Sequence, residues 1–560
     1  MRVLFCALHF GYFRNFESVI AGLAERGHQV HLTADEPDAL GGTELVERLA
    51  ARHPGLTFGF TPPLDQQAWF WVARKLRIAF DFIRFHDPAF SSFRKTRLNL
   101  RAQVPRGVLR VMESRVGRAV VTRRFLGATL RVAEALMPIS EPSRTFLEEQ
   151  NPDIVLFASV TAWRAPQLDH LRAARALGRR TAICVFSWDH LSSKALMRIV
   201  PDRIFVWNET QKQEAIRWHG MPADRVSVTG AQCYDQWFDR APSRDRRAFC
   251  RAVGLSPDYP ILLYVCSVMV PDPRESEFVL RWIDQIRCSP DPRLRSAGIL
   301  VRPHPERMRE WDGVSLERFG NAGLYGRNPI TPDAQADYFD SLYHSHAVVG
   351  LVTSAFLEAA ITGRPVHTPL LPEFEMYQEG MQHFRYLTEV EGGVLEVARS
   401  FPDHLRALAQ TLEQPTVRDA RNARFVRAFV RPRGLEVAST PVFIEAIEQV
   451  AAAPPQPADA PGIWHAAAQP IVDASVRSAA EGWLHRAMCD ATEWTNELSE
   501  ADKARFKKTA AAQKEERVAR KQRMLAARRW ARRREQWVGG GRKQIARLKG
   551  RVKALVGLSS

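Results

Sequence analysis

No stretch of this chain approaches the roughly 20 apolar residues that a membrane-spanning helix needs,. Its first residues, MRVLFCALHFGYFRN, turn polar too early for a secretory leader,. The seven cysteines are scattered and include no CxxC pair. Cys184 and Cys266 fall inside apolar runs and read as small buried hydrophobes of a reducing compartment,. Nothing in the pattern reads as a metal site. Together these absences lead us to expect a cytoplasmic protein, or one attached to a membrane from its cytosolic side.

Most of the chain also lacks net charge. The formal charge is +17, yet residues 501–560 alone hold 20 Lys/Arg against 4 Asp/Glu. Residues 1–500 are therefore close to neutral, and the high isoelectric point belongs to the tail. Hydrophobic content of 45% and charged content of 25% are ordinary for a globular protein,.

What is present is an α/β rhythm. RVLFCAL reads as a buried strand, HFGYFRN as a loop, FESVIAGLAERG as an amphipathic helix closed by Gly27, and HQVHLTAD as the next strand,. The rhythm resumes at PDIVLFAS, TAICVFSWDHLSSK, PDRIFVW and RVSVTG, breaks at about 241–256, and restarts with PILLYVCSV, AGILVRPHP, HAVVGLV and GGVLEVA. The fold class expected is α/β, with two Rossmann-like doubly wound domains facing a cleft. We place the first at 1–240, with a helical, arginine-rich insertion at 64–150, and the second at 255–450. A Pro/Ala linker spans 451–475 and a helical basic tail 476–560,. The insertion reads either as a helical subdomain with solvated arginines or as a surface facing an acceptor or a membrane.

Four segments have the chemistry of a site. In LVTSAFLEAAITGRPV a strand runs into Thr353 and Ser354 at a helix start, whose free N–H groups suit a diphosphate,. A capping box would put its glutamate at 357, where Leu357 stands, so Glu358 is available for ribose or sugar hydroxyls,. The competing readings are a plain N-cap for Ser354 and a solvated helix glutamate for Glu358. In SWDHLSSK, Asp189, His190 and Lys194 cluster at a strand exit, a carboxylate beside an imidazole being suited to general-base work,. His9, Arg14 and Asn15 lie on the loop after the first strand. In RPHP, two prolines hold Arg302 and His304 extended at another strand exit,.

In order, SWDHLSSKAL, VTGAQCYDQWF, ILLYVCSVMV, LVRPHP and LVTSAFLEAAITGRPV resemble the GT-B glycosyltransferase superfamily. The likeness is greatest to its CDP-glycerol glycerophosphotransferase-like and bacterial surface-polysaccharide branch, over roughly residues 150–400. The chain departs from that branch at Trp188-Asp189-His190, at Gly230-Ala231-Gln232 and at Val352-Thr353-Ser354. The resemblance implies a glycosyltransferase with a nucleotide-sugar donor in the second domain and a glycan or lipid-linked acceptor at the first, serving cell-surface polysaccharide synthesis. Arg302, His304, Thr353, Ser354 and Glu358 would bind the donor. Arg14, Asn15 and Lys194 would line the acceptor side, and one of Asp189, His190 or His9 would be the base, with the Asp189–His190 pair favoured. No cofactor and no metal are expected.

Alternatives are a CDP-glycerol-type polyol phosphotransferase, a UDP-N-acetylglucosamine 2-epimerase-like enzyme, and a non-catalytic membrane-associated binding protein. The tail motivates the last. In KQIARLKGRVKALV, Ile545, Leu548, Val552 and Leu555 share one helical face opposite basic residues, a pattern suited to an anionic membrane surface,. Nucleic acid is the less favoured partner.

Overall fold

The computed structural model describes residues 1–454, except 38–40, 65–67, 118, 159, 164–165, 269–273 and 417, and beyond 454 only 470 and 474. The tail at 476–560, with its amphipathic face, and most of the linker at 451–475 lie outside the described residues.

Two parallel sheets organise the chain. The first contains β1 (Arg2–His9), β2 (Gln29–Glu36), β3 (Leu56–Phe60), β4 (Ile154–Phe157), β5 (Arg180–Cys184), β6 (Arg203–Val206) and β7 (Val226–Val228), in the order β3-β2-β1-β4-β5-β6-β7. The second contains β8 (Ile261–Val265), β9 (Gly298–Arg302), β10 (Ala322–Leu324), β11 (Ala347–Val349), β12 (Val366–Pro369) and β13 (Leu395–Ala398), in the order β10-β9-β8-β11-β12-β13. Both are doubly wound. The order reverses between β1 and β4 and again between β8 and β11, and ligands of such folds bind at the carboxyl ends of the strands there.

The sequence builds these sheets by burying both faces of each strand. Successive side chains of β1 serve opposite layers. Val3, Phe5 and Ala7 pack with Ile20 and Leu32, while Leu4 and Cys6 pack with Val155 and Leu171,. In β8 the split repeats, with Ile261, Leu263 and Val265 on one side and Leu262, Tyr264 and, just past the strand, Cys266 on the other. Each large side chain fully buried this way contributes about 1.5–3 kcal/mol. The four strands that lack a buried run, β3, β7, β10 and β13, are the edges of the two sheets, and on β3 Phe60 is left 55% exposed.

Three boundaries differ from those expected. The helical excursion consists of Ala68–Arg84, Arg94–Arg101, Arg106–Glu113 and Val120–Ala135, and it ends well before 150. The following helix, Glu141–Gln150, belongs to the sheet, because its Leu147 shares an apolar layer with Val155 and Phe157. The excursion is fastened by ion pairs that local patterning does not show. Arg77 donates to both oxygens of Asp169 at 2.9 and 2.6 Å, and Glu134 accepts from Arg77 at 2.7 Å and Arg198 at 3.1 Å.

The break at 241–256 holds the helix Arg246–Val253, whose Phe249, Cys250 and Val253 lie in the second lobe's core. The second lobe thus begins ahead of 255. The helix Ser439–Ala452 returns to the first lobe, where Phe443 packs 6.0 Å from Phe16 and 5.0 Å from Phe205. Asp235 fixes that return. Its carboxylate accepts from Arg431 at 3.0 Å and from the backbone N–H groups of Ser439 and Thr440 at 2.9 and 2.6 Å. Gly230 passes alongside at φ +91°, and a Cβ there would meet Ser439 Oγ at 2.1 Å.

Candidate functional site

At the carboxyl end of β9 the chain runs into Pro303-His304-Pro305. His304 occupies the N-cap of the short 3-10 helix Pro305–Trp311, and its Nδ1 accepts the N–H of Glu306 at 3.3 Å. Burial pushes the imidazole below its ordinary value. Glu306 opposes this, and the charges of Arg14 and Arg307 add to it. A neutral ring whose Nδ1 accepts must carry its proton on Nε2, so His304 offers a single N–H donor. Arg302, expected to face phosphate, lies elsewhere. It is 4% exposed, its Nη1 donates to Ser341 Oγ at 2.7 Å, and its guanidinium lies 5.1 Å from the Tyr338 ring centroid. Its charge is spent inside the lobe, under Tyr338.

Beyond β11 the chain turns through Thr353 and Ser354 into the helix Ala355–Ile361. Ser354 stands at the N-cap, exposed and without a capping bond, whereas Thr353 Oγ1 accepts the N–H of Ala355 at 3.3 Å. Thr353 rather than Ser354 thus closes the helix start. Glu358 is half-buried and accepts the hydroxyl of Tyr338, from the neighbouring helix Pro332–Tyr343. Burial pushes its carboxyl up to about 7, against the pull of Tyr338, Arg14 and Arg240. Glu358 therefore exchanges its proton near neutrality.

On the first lobe, β1 ends at His9 and turns at once into a 3-10 segment, Phe10–Phe16, which carries Tyr12, Arg14 and Asn15. The rings of His9 and Tyr12 are 4.6 Å apart, those of Tyr12 and Phe186 4.7 Å, and those of Phe186 and His190 4.4 Å. Burial, with the charges of Asp189 and Glu36, pushes Tyr12 up to about 12. The backbone oxygen of Asn15 accepts from Gln232 at 3.0 Å.

The Asp189–His190 pair is not assembled as a base. Asp189 accepts the hydroxyls of Ser187 at 2.6 Å and Ser193 at 2.8 Å. Although burial raises it, the charges of Lys194 and His383 and the two serine bonds hold its carboxyl well below the usual carboxylate range. His190 is fully buried, its Nδ1 accepts the N–H of Phe186 at 3.3 Å, and burial pushes it down to about 3. A carboxylate stabilised so strongly is a weak base, and a sealed imidazole cannot reach an acceptor. The loop instead joins the lobes, with Trp188 edge-on to His383 of the second lobe at 4.8 Å.

Arg14 links the two edges electrostatically. It belongs to the first lobe, and its charge bears on both His304 and Glu358 of the second. His9 sits on the first-lobe side at the β1 exit. Reading by segment missed Tyr338, His383, Tyr12 and the Glu214–Tyr386 pair. Tyr338 and Glu358 are 20 positions apart on different helices, a relation that no local pattern carries. Among the described residues, no cluster of three His, Cys, Asp or Glu side chains is arranged to hold a metal ion. No described helix is long and apolar enough to cross a membrane.

No protein-family model matches the chain, and no curated protein does. Similar solved structures include a glycosyltransferase from Rickettsia africae, at 10% identity and a TM-score of 0.46, covering 81% of this chain and 99% of that one. A UDP-GlcNAc 2-epimerase from Neisseria meningitidis matches at 13% identity and a TM-score of 0.45, covering 80% and 100%. WaaG, a glycosyltransferase of lipopolysaccharide biosynthesis, matches at 12% identity and 0.41, covering 80% and 100%. The two strand orders themselves establish the α/β fold with two doubly wound lobes.

Proposed function

We propose that the chain is a GT-B-type glycosyltransferase that moves a sugar from a nucleotide-activated donor to a hydroxyl of a glycan or lipid-linked acceptor. The observation that supports this is the charge of Arg14, on one lobe, acting on His304 and Glu358 at the strand exit and helix start of the other. A donor seated across that junction has its diphosphate between a cation and an N–H donor, with Thr353 and Ser354 at the adjoining helix start. Glu358 accepts its ribose or sugar hydroxyls.

The acceptor oxygen attacks the anomeric carbon, a new C–O bond forms, and the bond to the diphosphate breaks. His9 takes the acceptor's proton, and the nucleoside diphosphate leaves with the bond's electron pair. Arg14 and the His304 Nε2–H offset the charge that develops on the leaving group, which is the largest electrostatic demand of the step.

The test is thermal shift of the full chain with UDP-, GDP-, CMP- and CDP-linked donors, followed by acceptor-dependent release of the nucleotide. Stabilisation by one nucleotide-sugar class is expected by mass action. A response to CDP-glycerol alone, conversion of a nucleotide sugar without acceptor, or no response to any donor would each overturn the reading.

A further inference from the structure

We propose that the outward face of the helix Val120–Ala135 docks on an anionic lipid bilayer. This helix is apolar on two sides. Its inner side packs on the helix Ala68–Arg84. There Gly127 faces the Phe80 ring, Leu126 and Leu130 join an apolar cluster with Ile78 and Phe82, and Glu134 is consumed by Arg77 and Arg198. Among the described residues the opposite side has no such partner. Val121, Phe125 and Val132 recur at helical spacing there and are 78%, 70% and 60% exposed,. At 1.5 Å per residue the stripe from Val121 to Val132 is about 16 Å long. Val116 and Val120, just before it, are 68% and 52% exposed. Seven of the sixteen large apolar side chains exposed among the described residues fall between 98 and 132. Single exposed apolar residues need no explanation, but a periodic stripe of them does.

Charge selects the occupant. Arg124 lies on the stripe, and Arg106, Arg110 and Arg115 lie on the segment leading to it, all exposed. The acidic residue of that stretch, Glu113, is taken by Arg101. An apolar stripe set among unpaired arginines matches the acyl boundary and headgroups of an anionic leaflet. The same charge disfavours two other occupants. A second copy would bring arginines against arginines, and so would the chain's own tail, with 20 Lys/Arg to 4 Asp/Glu. The surface is on the excursion of the first lobe and depends neither on the tail nor on the chemistry assigned to the cleft.

The test is sedimentation of the full chain with phosphatidylcholine vesicles, with and without about one-third phosphatidylglycerol. Wild type is compared with the triple variant Val121→Ser, Phe125→Ser, Val132→Ser, all at exposed positions, and with Arg110→Glu plus Arg124→Glu. Expected are binding that needs phosphatidylglycerol, at least a tenfold loss of affinity in both variants, and unchanged melting temperatures. Equal vesicle binding by wild type and the triple variant would overturn the proposal and leave binding to the tail. No vesicle binding by wild type, or self-association lost in the triple variant, would overturn it in favour of a protein partner or a second copy.

Discussion

The hydroxyl of Tyr386, on the second lobe, donates a 2.6 Å hydrogen bond to Glu214 of the first, and both side chains are buried. Burial pushes the Glu214 carboxyl up to about 8. Tyr386 and Ser192 draw it down, and Asp189 raises it further. The closure of the lobes is thus tied to a carboxyl that keeps its proton at neutral pH.

That proton makes stability depend on pH. Between about 4.5, where an unfolded glutamate ionises, and about 8, the folded state holds a proton that the unfolded state has lost,. Stability from this group is complete below the window and is lost as pH rises through it. Glu275, pushed to about 8 by burial while bonded to Tyr264 at 3.0 Å and to the Ser267 N–H at 2.8 Å, acts in the same direction. Denaturant midpoints should fall from pH 7.5 to 8.5, above the range in which the buried histidines, pushed down by burial, make stability rise with pH,. Glu214→Gln should remove up to about 1.4 kcal/mol per pH unit from that slope. An unchanged slope in the variant would contradict the assignment.

Donor affinity should rise with pH through about 7, because ionised Glu358 accepts hydroxyls that the protonated acid holds less well,. Glu358→Gln should weaken donor binding about tenfold and flatten the profile. Tyr338→Phe, by removing a bond that favours the carboxylate, should move the midpoint upward. Calorimetric titration at several pH values reads both.

Asn and Gln separate the two nitrogens of His304. His304→Asn can keep the Nδ1 contact with the Glu306 N–H while losing the Nε2–H donor,. It should fold normally and turn over at least tenfold more slowly. His304→Gln, which carries an N–H near the Nε2 position, should recover part of the rate. Equal rates in the two variants would remove the donor role.

Asp235→Ala leaves Arg431 and two backbone N–H groups without their acceptor at a buried junction. Loss of a buried pair together with a helix-start acceptor should cost about 3–5 kcal/mol, measured by chemical denaturation. Asp235→Asn, which still accepts, should cost less.

The main strands were legible because burying both faces of a strand demands an unbroken apolar run, and β1, β4, β8 and β9 have one. The edge strands β3 and β10 escaped notice for the converse reason, since an edge that faces solvent needs no such run. Arg14, His304 and Glu358 were legible as separate points at strand exits and a helix start. The excursion's end at Ala135, the helix at Arg246–Val253 and the return of Ser439–Ala452 to the first lobe all depend on contacts with distant residues.

By itself, then, the sequence determined two doubly wound sheets and the polar residues at their carboxyl edges, because apolar runs, prolines and helix-start residues act over a few neighbours. Only the tertiary structure decided which of those residues meet. It set His304 and Glu358 within the influence of the Arg14 charge, and it withdrew Arg302 beneath Tyr338. It turned Asp189 and His190 from an expected base into buried parts of a loop whose Trp188 meets His383 of the second lobe. Burial and charge pairing are set by chain segments hundreds of residues apart, and they govern whether a histidine or a carboxylate is free to act.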